Sequence, residues 1–236
     1  MKFLLLRLLE LVAPERCAGC GTVVSMDRHC LCERCFNEIT PVSDGCARCS
    51  GPLVEGRCIL CSGRAFYPKE NIAMAEYRGV MKKIMGQYKF SGARRLHRHF
   101  ARMIELRIPP AYFKKDCISA VPLESKSQWR RGYNQSELIA RSIASRRGIP
   151  YLTLLKRRRG PNSQKSLGSR DRFFNVLDSF HVVNPEKIRG KSVILMDDIF
   201  TTGATINECA RVLMQAGADE VSSLTIARAA ECRSIR

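Results

Sequence analysis

Residues 191–205 read Lys191-Ser-Val-Ile-Leu-Met-Asp197-Asp198-Ile-Phe-Thr201-Thr202-Gly203-Ala204-Thr205. Val193–Met196 is short, apolar and partly β-branched, the signature of a strand buried on both faces of a parallel sheet. Two carboxylates follow, then a Thr/Gly turn, then a helical pattern from about Thr205 to Gln215 that Gly217 ends. Val221–Ala227 reads as the next strand. Together they predict a βαβ unit with its polar residues at the carboxyl end of a strand, where open α/β sheets bind ligands.

The atoms of the turn indicate which ligand. Successive backbone N–H groups from Thr201 to Thr205, at a helix N-terminus, form a pocket for a phosphate. Gly203 permits close approach and unusual dihedrals, and Thr201, Thr202 and Thr205 add hydroxyl donors. Asp197 and Asp198 would repel a phosphate set against them, but they suit the diol of a ribose, whose hydroxyls can donate to them. The pairing describes a ribose-phosphate site. Neither G-x-x-x-x-G-K-[ST] nor a helix-opening G-x-G-x-x-G is present.

Upstream, Cys117–Val121 reads as a strand, Pro122–Tyr133 as a loop and Asn134–Arg146 as an amphipathic helix. The loop carries Lys126, Arg130 and Arg131, cations able to neutralise a pyrophosphate. Lys156–Asp171 is basic, rich in Gly, Ser and Asn, and contains Pro161, so a long exposed loop is expected there, of the kind that serves as a lid. The Tyr88–Arg95 stretch and the helical run after it are expected to pack at the sheet margin. Trp129 has a ring that can stack on a base, but it is assigned to the surface or a hinge.

Nine of the twelve cysteines fall between positions 17 and 61. Eight form C-x-x-C pairs: Cys17/Cys20, Cys32/Cys35, Cys46/Cys49 and Cys58/Cys61. A two-residue gap brings both thiolates of a pair to one metal, and four thiolates complete a closed tetrahedral zinc site. One or two structural Zn²⁺ ions are expected. Sequential sites, with the first four and the last four of these cysteines, close shorter loops than a cross-braced arrangement. Gly21, Gly51 and Gly63 follow three of the pairs where tight turns are expected. Cys30 is an alternative ligand or a bystander, and Cys117, Cys209 and Cys232 are packing or surface residues. A disulfide framework needs an oxidising compartment, for which the chain shows no export signal.

The chain has 236 residues and a formal net charge of +18. Residues 64–196 carry 29 Lys/Arg against nine Asp/Glu, whereas residues 1–63 balance at seven each. The positive field therefore belongs to the middle of the chain and favours anionic partners. At the N-terminus, Arg7 and Glu10 interrupt an apolar run too short to span a bilayer. An amphipathic helix ending near Pro14 is expected, in a cytoplasmic protein without a membrane span.

Asp197–Thr205 resembles the phosphoribosyl pyrophosphate motif of type I phosphoribosyltransferases. From Cys17 to about Ala227 the chain resembles the ComF/GntX family, in which a multi-cysteine zinc head precedes such a domain. Ala120-Val-Pro-Leu-Glu, Arg130-Arg-Gly-Tyr-Asn-Gln, and Gln164, Leu167, Arg172 and Asn175 also carry the likeness. In the family these correspond to a pyrophosphate-side loop and a mobile loop over the site. The resemblance implies an α/β fold, a type I phosphoribosyltransferase-like parallel sheet flanked by helices, over residues 66–236, with a zinc-binding segment over 1–65.

On this reading Asp197 and Asp198 are the catalytic pair, orienting the ribose while pyrophosphate leaves the anomeric carbon. Thr201, Thr202, Gly203, Ala204 and Thr205 anchor the 5′-phosphate, and Arg130 and Arg131 meet the leaving group. Mg²⁺ arrives with the ligand, held by ligand oxygens and water. The resemblance further implies a role in DNA uptake, natural transformation or DNA repair, with single-stranded DNA and uptake or recombination proteins as partners. Three functions stay open: a phosphoribosyltransferase in DNA processing, a non-catalytic DNA-handling factor, and a metabolic transferase for a small base or amine.

Overall fold

The computed structural model describes residues 14–25, 30–42, 45–58, 61, 63, 65–124, 129–158 and 176–229. The expected N-terminal helix, Lys126, Gln164, Leu167, Arg172, Asn175 and Cys232 lie outside the described residues. In the cysteine-bearing segment, α1 is Glu33–Asn37, and β1 (Leu53–Val54) pairs antiparallel with β2 (Arg57–Cys58). Then follow β3 (Asn71–Glu76), α2 (Gly79–Phe90), α3 (Leu96–Arg107), β4 (Cys117–Ala120) and α4 (Gln135–Arg147). A short antiparallel hairpin joins β5 (Leu155–Arg157) to β6 (Phe180–Val182). The chain closes with β7 (Ser192–Phe200), α5 (Ala204–Gln215) and β8 (Glu220–Arg228).

Strands β3, β8, β7 and β4 form a parallel sheet in that order, extended beside β4 by a bridge from Ile118 to Tyr151. Alternation along the strands divides the core between the two faces. Ile194 and Met196 of β7, with Leu224 and Ile226 of β8, pack with α2, α3 and α4. Val193 and Leu195, with Val221, pack with α5 and the β5–β6 hairpin. Helices on both faces thus cover the sheet, as a parallel sheet requires. The strand expected at 193–196 runs on through both aspartates to Phe200. Lys156 and Arg157, expected in a loop, belong to β5, because Lys156 pairs with His181 and Arg157 with Phe180.

The cysteine-bearing segment wraps the outer edge of β3. Pro41 bridges Ala75, the Glu76 amide donates to the Thr40 carbonyl at 2.9 Å, and the Ala73 amide donates to Ser50 Oγ at 3.2 Å. An edge strand that would otherwise present unpaired backbone groups is thereby covered. The wrap carries the chain from one face of the sheet to the other. Cys17 and Cys35 belong to the core on the α2–α4 face, while Cys49, Cys58 and Cys61 belong to the core on the α5 face.

Candidate ribose-phosphate site and cysteine centres

The carboxyl end of β7 delivers Asp197 and Asp198 to the top of the sheet, and the chain turns through Thr201 and Thr202 into α5. Gly203 precedes the helix at φ 78° and ψ 2°, a left-handed conformation that costs an L-side chain about 1–2 kcal/mol. Space forbids a side chain there as well: a Cβ on Gly203 would lie 2.4 Å from Phe200 Cζ. The turn is partly self-capped, because the Ala204 amide donates to Thr202 Oγ1 at 3.3 Å. A phosphate in the expected cradle would therefore compete with the Thr202 hydroxyl for that amide.

Each aspartate is held differently. Asp198 follows Ile194 and Met196 on the face that carries α2, and its Oδ2 lies 2.8 Å from Lys89 Nζ in a largely buried ion pair. Asp197 Oδ1 accepts from Ser136 Oγ at 3.2 Å and from the Asp198 amide at 2.8 Å. Burial, and then the neighbouring Asp198 charge, push the Asp197 carboxyl up to about 7, against the pull of its hydrogen bond from the Asp198 amide, Lys89 and Ser136. The pair is thus set to hold a proton close to neutral pH, the behaviour of adjacent carboxylates in a low-dielectric site.

Ser136 and Lys89 are the residues that the sequence reading missed. Ser136 sits in the first turn of α4, whose start is fixed by Asn134. The Asn134 Oδ1 accepts from the Ser136 amide at 3.0 Å, and its Nδ2 donates to the Val121 carbonyl at 3.0 Å. The signal was the Asn-Gln-Ser that follows Arg130-Arg-Gly-Tyr, a capping residue placed one turn from a basic loop. Lys89 had no comparable local sign. It was expected at the sheet margin, but the α2 C-terminus turns it inward against Asp198.

Arg130 and Arg131 gather around the residue after Lys89, their guanidinium carbons 5.6 and 5.1 Å from the Phe90 ring centroid. Arg131 Nη1 also donates to Gln135 Oε1 at 3.2 Å. The basic loop therefore packs on Phe90, while Lys89, the residue before it, turns to the acid pair. Trp129 is 90% exposed and lies on the surface.

The eight paired cysteines fall into two groups, Cys17/Cys20/Cys32/Cys35 and Cys46/Cys49/Cys58/Cys61, with all sulfurs of a group within 4.8 Å of one another. This is the sequential arrangement. A tetrahedral Zn²⁺ with Zn–S bonds of about 2.3 Å separates its sulfurs by about 3.8 Å. Cys20 and Cys32 sulfurs stand 3.7 Å apart and those of Cys49 and Cys58 3.5 Å apart, so both groups fit the ion. Cys30 stands outside the first group. Its thiol donates to Glu15 Oε1 at 3.1 Å, and burial with that hydrogen bond pushes it up to about 12. Cys117 and Cys209 are core residues. Gly21 and Gly63 take positive φ as expected, at 79° and 73°. Gly51 does not; it is needed for space, because a Cβ there would lie 2.7 Å from Arg228 Nη2.

The acid pair offers no comparable cage for Mg²⁺, since Asp198 is already neutralised by Lys89 and Asp197 is engaged by Ser136. A magnesium ion at this site would be held by the oxygens of its ligand and by water. Among the described residues, no helix is long and apolar enough to cross a membrane.

Residues 133–234 match the phosphoribosyl transferase domain family. Over 223 residues the chain is 27% identical to Competence protein F of Haemophilus influenzae, an alignment covering 91% of this chain and 97% of that protein. It is 29% identical over 213 residues to Competence protein ComFC of Streptococcus pneumoniae, covering 86% and 89%. Among solved structures, a glutamine phosphoribosylpyrophosphate amidotransferase from B. subtilis is 22% identical at a TM-score of 0.39, covering 56% of this chain and 26% of that one.

Proposed function

From a chain that fits the ComF family and carries a phosphoribosyl transferase domain, we propose a protein that binds phosphoribosyl pyrophosphate and acts as a phosphoribosyltransferase in the handling of incoming DNA. The observation that carries the reading is the order along β7 and α5: two carboxylates, then a Thr-Thr-Gly turn, then a helix N-terminus. Acids suit sugar hydroxyls, and a helix N-terminus suits a phosphate; few other ligands ask for both side by side.

In this reading Thr201–Thr205 hold the 5′-phosphate, and Asp197 and Asp198 bind the ribose hydroxyls. Displacement at the anomeric carbon develops positive charge on the sugar, which a fixed carboxylate stabilises. Lys89 limits the negative charge of the pair and fixes the Asp198 carboxylate in place, while Ser136 orients Asp197. Arg130 and Arg131 receive the departing pyrophosphate, and Mg²⁺ supplies further charge neutralisation when it is bound with the ligand. The cysteine-bearing residues 1–65 serve as a zinc-stabilised brace for the catalytic part, 66–236, in the cytoplasm.

The DNA role rests on two supports. The curated relatives carry competence names. In addition, a groove of about 850 Å³ between the first cysteine group and α2 is lined by Arg16, Lys82, Lys83, Arg94 and Arg95, the last ion-paired with Glu15 of the same lining. Single-stranded DNA bound there would dissociate steeply with salt. The transferase claim is tested by following pyrophosphate release from phosphoribosyl pyrophosphate with Mg²⁺ and a panel of acceptors, oligonucleotides included. Release that depends on Asp197 and on one acceptor supports it. Release absent with every acceptor, in a chain that still binds the ligand, identifies a sensor instead.

A further inference from the structure

Arg228 ends β8 and is only 5% exposed. Its Nε and Nη1 have no hydrogen-bond partner, and a buried guanidinium without compensation is costly. The groups packed around it are the second cysteine group and an aromatic ring. A Cβ on Gly51 would lie 2.7 Å from Arg228 Nη2 and 3.0 Å from Cys49 Sγ, so the bare Cα of Gly51 is what admits guanidinium and sulfur to the same corner. The Arg228 guanidinium carbon also stands 4.8 Å from the Phe200 ring centroid.

Zn²⁺ bound by four thiolates keeps a net charge of about −2. The first group can leave that charge to solvent, since Cys20 is exposed and Cys32 partly so. In the second group Cys49, Cys58 and Cys61 are all buried, Cys46 is partly exposed, and no member is as open as Cys20. A largely buried anion and a buried guanidinium whose Nε and Nη1 have no hydrogen-bond partner therefore occupy one corner of the fold. Phe200 extends the connection. It pairs with Arg228 across β7 and β8, the Ala229 amide donates to its carbonyl at 2.9 Å, and its ring fills the space over Gly203. The segment leaving the second group docks on α5, the helix that Gly203 precedes: Asn207 Oδ1 accepts from the Tyr67 amide at 2.8 Å, and its Nδ2 donates to the Ala65 carbonyl at 3.2 Å.

We propose that Arg228 is the internal counter-cation of the anionic metal–thiolate centre formed by Cys46, Cys49, Cys58 and Cys61, and that through Phe200 it sets the position of the Gly203 turn. The first half stands on the cysteine geometry alone; the second rests on the ribose-phosphate reading of that turn. Arg228 is on this account a positioning residue. No ribose or phosphate contact is assigned to it, and it makes the second metal centre part of the anion loop's support.

The test uses the full chain loaded with zinc and follows release of the metal to a chromophoric chelator. Cys20→Ser identifies which phase belongs to the first centre. In Arg228→Met the second centre should lose zinc affinity about 10–100-fold, the usual effect of removing an outer-sphere partner, while the first centre is unchanged. Arg228→Lys should lose several-fold less, because it keeps the charge without the planar stack; it also decides the matter should the methionine variant fail to fold. Ribose 5-phosphate should bind the zinc-loaded Arg228→Met chain more weakly than the parent. Zinc release from the second centre at the parental rate in both variants, or equal weakening of both centres, would overturn the proposal. Failure of ribose 5-phosphate to bind the parent chain would refute the ribose-phosphate reading and the second half with it. The counter-cation claim would then be decided by zinc release, which needs no ligand.

Discussion

Lys89 Nζ lies 2.8 Å from Asp198 Oδ2, so the acid pair at the end of β7 takes its neutralising charge from the C-terminal turn of α2. Both side chains are largely buried, and breaking such a pair leaves an uncompensated charge. Lys89→Met should therefore destabilise the protein by about 1–3 kcal/mol at neutral pH and above. The loss should shrink in acid, where the stranded carboxyl takes up a proton. Denaturant unfolding at both pH values checks this; an equal loss at each would mean that Lys89 contributes packing and not charge.

Asp197 gives the protein a pH dependence of unusual sign. Its folded carboxyl is raised from 3.8 to about 7, so between those values the folded state holds a proton that the unfolded chain releases. The contribution of this group to stability is therefore fully present in acid relative to neutral pH and is lost as the pH rises through about 7. Asp197→Asn removes the dependence. Relative to the parent, the variant should gain roughly 2–4 kcal/mol between about pH 4 and pH 8. A parent–variant difference that stays flat with pH would show Asp197 to be an ordinary ionised carboxylate.

Gly203→Ala combines a left-handed backbone with a Cβ 2.4 Å from the Phe200 ring. The expected cost is about 2–4 kcal/mol, together with loss of phosphate binding as the turn moves. Thermal denaturation and ribose 5-phosphate titration read the two effects separately. A variant as stable as the parent would mean that the turn is not held in this conformation.

Zinc stoichiometry should be two ions per chain, falling to one in Cys49→Ser and in Cys35→Ser. Structural zinc contributes to folding directly, and the second group shares its core with Phe200 and Leu213 of the α5 face. Cys49→Ser should accordingly loosen α5 as well as the cysteine segment, seen as faster amide exchange in α5. Protection of α5 unchanged in that variant would make the cysteine segment an independent appendage.

Much of this architecture was legible in the sequence because its signals are local. Val193–Met196, the Asp-Asp/Thr-Thr-Gly turn and the paired cysteines each declare themselves within a few residues, and the sequential cysteine groups follow from short loops. Lys89 and Arg228 were not legible for the opposite reason, and Ser136 left only the capping Asn134 as a local sign of its place, not of its partner. Lys89 reaches the acid pair from α2, Ser136 reaches it from α4, and Arg228 meets cysteines from the far end of the chain. Side-chain identity does not reveal such meetings; sheet order does. The expected boundary of the central strand fell short for a related reason, since Asp197 and Asp198 look like the start of a loop until Asp197 is seen paired with Thr225 of β8, and Ile199 with Ala227.

The measurement that bears most directly on the central claim is calorimetric titration of phosphoribosyl pyrophosphate and Mg²⁺ into the zinc-loaded chain, beside the Asp197→Asn/Asp198→Asn double variant. Saturable micromolar binding by the parent, lost in a double variant that remains folded, is the result this site predicts. No binding to a folded, zinc-loaded parent, or undiminished binding by the double variant, would contradict it.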